Sequence, residues 1–143
     1  RLKIPHMGWN NIHKNENEVS IYEKNVLNNN TLLLGYTKQL IHLSIDAMDL
    51  NPPENTKVIK KDWFTIDKYY DTIIGDGVLN LVGGDLVQYL SKYCRKLIIR
   101  FFTEKIKGMK YATYFRYNTN LLLPDVIIDT QESCKILIWN FEQ

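Results

Sequence analysis

The chain has 143 residues, 18 basic and 16 acidic side chains and a formal charge of +2, enough for one packed domain and too short for a two-domain enzyme. So even a charge balance gives no electrostatic footprint for nucleic acid, and no apolar run approaches the roughly 20 residues needed to cross a bilayer. Cys94 and Cys134 are two thiols in a chain rich in apolar residues, so we expect them reduced and structural. With no basic-then-apolar leader, they point to a cytoplasmic protein. Opening on Arg1 instead of Met leads us to expect residues ahead of it.

In chain order, residues 1–14 form an irregular arm broken by Pro5 and Gly8. Asn15 followed by Glu18 has the form of a capping box, and Val19, Tyr22 and Val26 recur at helical spacing, so a helix is expected there. The asparagines 28–30 end it. Thr31 to Leu34 is a short apolar strand leading to Gly35, and Tyr36 to Leu43 has room for two helical turns. A second strand, Ile45 to Asp49, runs into a proline-bearing turn. A third covers Val58 to Trp63, and a fourth covers Thr72 to Gly75 and leaves Asp76 between Gly75 and Gly77. Leu86, Leu90 and Tyr93, flanked by Val87 and Cys94, make an amphipathic helical stripe over Asp85 to Arg95. KLIIRFF is a fifth strand ending at Phe102. Beyond it, Val126–Asp129 and Lys135–Phe141 can pair as a hairpin, or Thr130–Asn140 can form a helix.

Apolar strands without alternation need cover on both faces, which argues for a mostly parallel sheet. The expected fold is α/β and Rossmann-like, with a twisted sheet of five to seven strands and flanking helices, reduced in size. One domain, 1–143, would hold the arm and a core from residue 15. Parallel neighbours usually need crossovers of about a dozen residues. The crossovers after Gly35 and after Leu50 are shorter, so their helices must be short or missing.

Taken in order, LLLGYTKQL, the acid closing SIDAMDLNP, VIKKDWF, YDTIIGDGVLNL and KLIIRFF resemble the successive motifs of the class I S-adenosylmethionine-dependent methyltransferases, above all compact bacterial members with LG-x-T and D-G-x-L-N motifs. The resemblance implies an enzyme that binds S-adenosylmethionine and methylates a small molecule, needing neither nucleic acid nor membrane and open to oligomerisation. By that likeness Gly35, Tyr36 and Thr37 approach the cofactor closely and supply backbone donors. Asp49, with Leu50 beside it, would accept from the ribose hydroxyls. Asp62 would meet the adenine amino group, with Trp63 either packed on the ring or part of the core. Asp76, with Gly77, would lie near the methionine moiety and serve catalysis. Methyl transfer is a direct displacement, so aligning nucleophile and methyl supplies much of the rate.

The family's first loop usually carries several glycines, whereas this chain has Gly35 alone. That departure supports an alternative from another class, a non-catalytic protein of the same fold acting as a ligand-binding or protein-interaction module. A nicotinamide-type dinucleotide site is disfavoured because G-x-G-x-x-G is missing. Arg100, inside an apolar strand, is expected to be a paired structural charge. His6, His13 and His42 lack metal-ligand spacing, and Lys57, Lys60 and Lys61 read as a solvated face. KIPHMGWN resembles a stretch of the glutamine amidotransferase subunit of imidazole glycerol phosphate synthase. That chemistry needs a cysteine on a tight strand-to-helix turn, and neither thiol has such a setting. Trp9 and its neighbours could instead form a lid.

Overall fold

A computed structural model of the chain describes residues 16–103, 122–131 and 134–141. The N-terminal arm, including Trp9, lies outside the described residues. Helix α1 spans Glu16–Asn25, as the Val19, Tyr22, Val26 stripe predicts. The asparagines that follow tie its end to the sheet: the Asn28 amide donates to Asp71 Oδ2 at 3.0 Å, and the Leu27 N–H donates to Thr72 Oγ1 at 3.0 Å.

The strands are β1 (Thr31–Leu34), β2 (Asp46–Asp49), β3 (Ile59–Lys60), β4 (Tyr70–Asp76), β5 (Cys94–Phe102), β6 (Val126–Gln131) and β7 (Cys134–Asn140). They form one seven-stranded sheet in the order β3-β2-β1-β4-β5-β7-β6. The pairs from β3 through β5 are parallel, whereas β7 runs antiparallel to both β5 and β6. The expected α/β architecture is the observed one, and the last segment takes the hairpin alternative.

Both faces of the sheet are covered, which is why its strands lack alternation. Trp63, Ile66, Leu79, Leu86, Leu90 and Trp139 pack on Leu32, Leu34, Ile73, Leu97 and Ile99. On the opposite face Tyr22 of α1, Leu40 and Val58 pack on Leu33, Ile74, Ile98, Ile136 and Ile138.

Three local expectations are corrected, and one helix was not foreseen. The stretch Tyr36–Leu43 holds only a turn and a 3-10 helix at Ile41–Leu43. The third strand is two residues long, because the Asp62 carboxylate accepts from the Phe64 N–H at 2.9 Å and starts a 3-10 turn at Trp63. The stripe over Asp85–Arg95 divides: helix α3 (Asp85–Leu90) is followed so closely by β5 that Cys94 already lies opposite Tyr70. Helix α2, Val78–Val82, was hidden because an apolar, valine-flanked VLNLV looks like a strand. As expected, no helix joins β2 to β3.

Candidate functional site

The strand order reverses beside β1: the chain passes from β1 outward to β2 on one side, and from β4 outward to β5 on the other. Open α/β sheets bind ligands at the carboxyl ends of strands flanking such a switch point. Leu34 lies opposite Met48 of β2 and Gly75 of β4, so Gly35, Asp49 and Asp76 leave the same edge at the same level. With neighbouring strands about 4.8 Å apart, Asp49 and Asp76 stand roughly 10 Å from each other across β1.

Gly35 takes a left-handed conformation, φ 83°, which a residue with a Cβ adopts only under strain. Its N–H is not turned outward, because it donates to the Met48 carbonyl at 2.7 Å. The buried Thr37 gives its carbonyl to the Leu40 and Ile41 N–H groups at 2.9 and 3.1 Å. Tyr36 leans over the face that carries α1. There, with Ile41, Ala47, Lys57 and Val58, it lines a groove of about 310 Å³ where the β2–β3 crossover lacks a helix.

Asp49 is fully buried, and its Oδ1 accepts from the Asn51 N–H at 2.9 Å, an Asx-type turn that fixes the carboxylate past the strand end. Leu50 follows, half-buried. Asp62 caps the turn after β3, and Trp63 takes the core alternative. Its indole is fully buried among the apolar residues, and Nε1–H donates to the Met48 carbonyl at 2.7 Å. A ring so enclosed has no face left for adenine. One carbonyl, that of Met48, thus fixes both Gly35 and Trp63 against the end of β2.

Asp76 departs furthest from expectation. Its side chain turns to the α1 face, where Arg100 holds it with two bonds, Nε to Oδ1 at 2.6 Å and Nη2 to Oδ2 at 3.1 Å. The third arm of the fork, Nη1, donates to Glu18 Oε1 at 2.9 Å, and Thr130 donates to Glu18 Oε2 at 2.8 Å. Both carboxylates are fully buried and Arg100 is only 6% exposed. Burial pushes the Asp76 carboxyl up to about 6, with Arg100 working to lower it and Glu18 to raise it further. Each oxygen of this carboxylate thus accepts a bond from Arg100. Arg100 is the paired structural charge its apolar surroundings predicted.

Tyr22, also fully buried, joins this cluster: its hydroxyl donates to the Gly75 carbonyl at 2.6 Å and accepts from the Arg100 N–H at 2.8 Å. Gly77, left-handed at φ 69°, opens α2 and donates its N–H to the Arg100 carbonyl at 2.9 Å. Asn80 then closes the turn, donating to the Phe102 carbonyl at 2.9 Å and accepting from the Phe102 N–H at 3.0 Å. From the sequence Glu18 and Tyr22 are helix signals only, and Asn80 carries no signal of its own. The available signal was Glu18 standing four residues before Tyr22, an acid on the helical face that packs inward. Among the described residues no cluster of metal-ligating side chains occurs, and no helix is long and apolar enough to cross a membrane.

No protein-family model and no curated protein matches this sequence. Among solved structures, magnesium protoporphyrin IX methyltransferase (ChlM) from Synechocystis PCC 6803, in a structure with bound SAM, is similar. The TM-score is 0.56 at 15% identity, covering 89% of this chain and 77% of that one. The chain has an α/β, Rossmann-like fold. A likeness at this identity concerns architecture: the sheet, its switch point and its covered faces.

Proposed function

We propose that the protein binds S-adenosylmethionine across the carboxyl ends of β1, β2 and β4 and transfers its methyl group to a small-molecule acceptor. The observation that carries this reading is the left-handed Gly35 beside the buried, turn-fixed Asp49 at a topological switch point. The similar Synechocystis protein, a methyltransferase crystallised with SAM, supports the same ligand.

In this reading Asp49 accepts from the ribose hydroxyls, since a carboxylate held by its own turn needs no reordering to receive them. Gly35 lets the chain turn sharply over the methionine portion, with Tyr36 and Thr37 following it. Leu50 supplies apolar cover, and Asp62 stands on the adenine side. Trp63 contributes from beneath, by fixing the backbone. Gly77 shapes the turn after β4, with Asp76 acting through Arg100 and not on the acceptor. When bound, the sulfonium supplies an electrophilic methyl group. The chain's own task is to align it with the acceptor.

A second reading, a ligand-binding module without catalysis, is favoured by the engagement of Asp76 with Arg100 and by the single glycine of the first loop. Calorimetric titration with S-adenosylmethionine and with its demethylated product addresses both. We expect binding of each, and Asp49→Ala should weaken it by about 1.5–3 kcal/mol, the range for hydrogen bonds to a charged group. Absence of binding by the unaltered protein would overturn the cofactor assignment. An unchanged dissociation constant in folded Asp49→Ala would move the ribose site elsewhere.

A further inference from the structure

The polar cluster beneath α1 does more than neutralise charge, because one of its members sits inside the backbone ladder that carries the proposed site. Gly77 N–H donates to the Arg100 carbonyl, so in a regular parallel ladder the Arg100 N–H would reach the Gly75 carbonyl directly. Both groups also bond to the Tyr22 hydroxyl, at 2.8 and 2.6 Å. The phenol therefore ties α1 to both β4 and β5 at the rung just before Asp76 and Gly77.

We infer that Tyr22 is a positioning residue for the turn formed by Gly75, Asp76 and Gly77, holding it, with Glu18 and Arg100, in the shape that meets the ligand. This inference rests on the cofactor reading given above. A phenylalanine at position 22 would keep the ring and lose the bridge. The Gly75 carbonyl and the Arg100 N–H would then lose the bonds that anchor them to α1, and the turn would shift against β1, to which Gly75 is paired through Leu34. Little slack absorbs the shift. A Cβ built on Gly75 would lie 3.1 Å from Val78 Cγ1, and one on Gly77 would lie 3.0 Å from the Phe102 ring. The charged fork limits the movement from the other side, since Arg100 grips Asp76 while Glu18 anchors α1 to the same guanidinium.

The comparison that tests this is Tyr22→Phe against Tyr70→Phe. Tyr70 also donates a hydroxyl bond, part-buried, to Asp46 Oδ2 at 2.6 Å, at the opposite end of β4. A merely structural role predicts the same behaviour from both variants. We expect Tyr22→Phe to weaken S-adenosylmethionine about tenfold, the scale of one lost hydrogen bond, and Tyr70→Phe to leave affinity unchanged. Amide hydrogen exchange at Gly77 in the ligand-free protein should quicken in Tyr22→Phe alone. Equal affinity losses in the two variants, or exchange at Gly77 that does not change, would overturn the inference. If the unaltered protein binds no cofactor, the functional reading fails, and exchange at Gly77 still decides whether Tyr22 holds the turn. Should Tyr22→Phe fail to fold, Glu18→Gln replaces it, with the same exchange response expected at smaller amplitude and its absence counting against the inference.

Discussion

Arg100 stands between two carboxylates that are themselves fully buried, Asp76 of β4 and Glu18 of α1. Removing three charges from water is expensive, and only close, well-directed bonds offset the loss. Arg100 meets that condition by using Nε, Nη1 and Nη2 at once. A lysine cannot reproduce that fork. Arg100→Leu should therefore cost about 3–5 kcal/mol, since it leaves two acids buried without their cation, and Arg100→Lys should recover little of it. Urea unfolding at neutral pH measures both, and a loss under about 1 kcal/mol would show that the cluster is solvated in the folded protein. The pairing of Arg100 was legible from a single cation in an apolar run. Its partners were not, since Glu18 lies 82 positions away and only the register of β4 and β5 places Asp76 alongside.

Among the elements, the turn from β4 into α2 carries the tightest backbone demand. Gly77 is left-handed at φ 69° and its missing Cβ would sit 3.0 Å from the Phe102 ring, so Gly77→Ala should destabilise by more than the roughly 1–2 kcal/mol of the left-handed conformation alone. Thermal unfolding checks this, and a variant within about 0.5 kcal/mol of the parent would mean that the turn relaxes freely. Strands β1, β2, β4 and β5 were legible because short, mostly apolar runs ending in Gly, Asp or Phe fit a covered sheet better than a surface helix. Of the helices after β1, α2 was not foreseen, and α3 was foreseen but carried too far, to Arg95. Helix α3 stops at Leu90 because the segment after it must reach Tyr70: the Tyr93 carbonyl accepts from the Tyr70 N–H at 2.9 Å, a tertiary demand that ends the periodic stripe. The strand β3 gave way to an Asp62 cap for a similar local reason. At the candidate site Gly35, Asp49 and Asp76 were placed at one edge from sequence, while the direction in which Asp76 turns came only with the packing of α1.

At the scale of the whole molecule, the helix α1 closes one face of the sheet over a cluster of two buried acids and one cation, and the burial of Asp76 there sets how stability responds to pH. Facing Asp76 are Glu18 and Tyr22 from α1, Arg100 from β5 and, at longer range, Cys134 from β7. Burial raises both Tyr22 and Cys134 above their ordinary values, so neither titrates in acid. Asp76 does: burial lifts it from 3.8 to about 6 in the folded chain, against the opposing pull of Arg100. Between roughly pH 4 and 6 the folded state therefore holds a proton that the unfolded state has released, and stability falls as pH rises through that window. The usual salt-bridged aspartate does the reverse. Asp67, lowered mainly by its hydrogen bond from Lys61, is such a case, and its loss of stability comes at lower pH, beneath this window. The decline due to Asp76 is on the order of 2–3 kcal/mol at most, since each pH unit between the unfolded and folded pKa values contributes about 1.4 kcal/mol. Urea midpoints measured at half-unit steps from pH 4 to 7 should drop and then level above pH 6, and Asp76→Asn, neutral throughout, should lack that slope. Midpoints that rise across the same interval in the unaltered protein, or an identical slope in Asp76→Asn, would show that the Arg100 pairing outweighs burial and that Asp76 remains ionised in the fold.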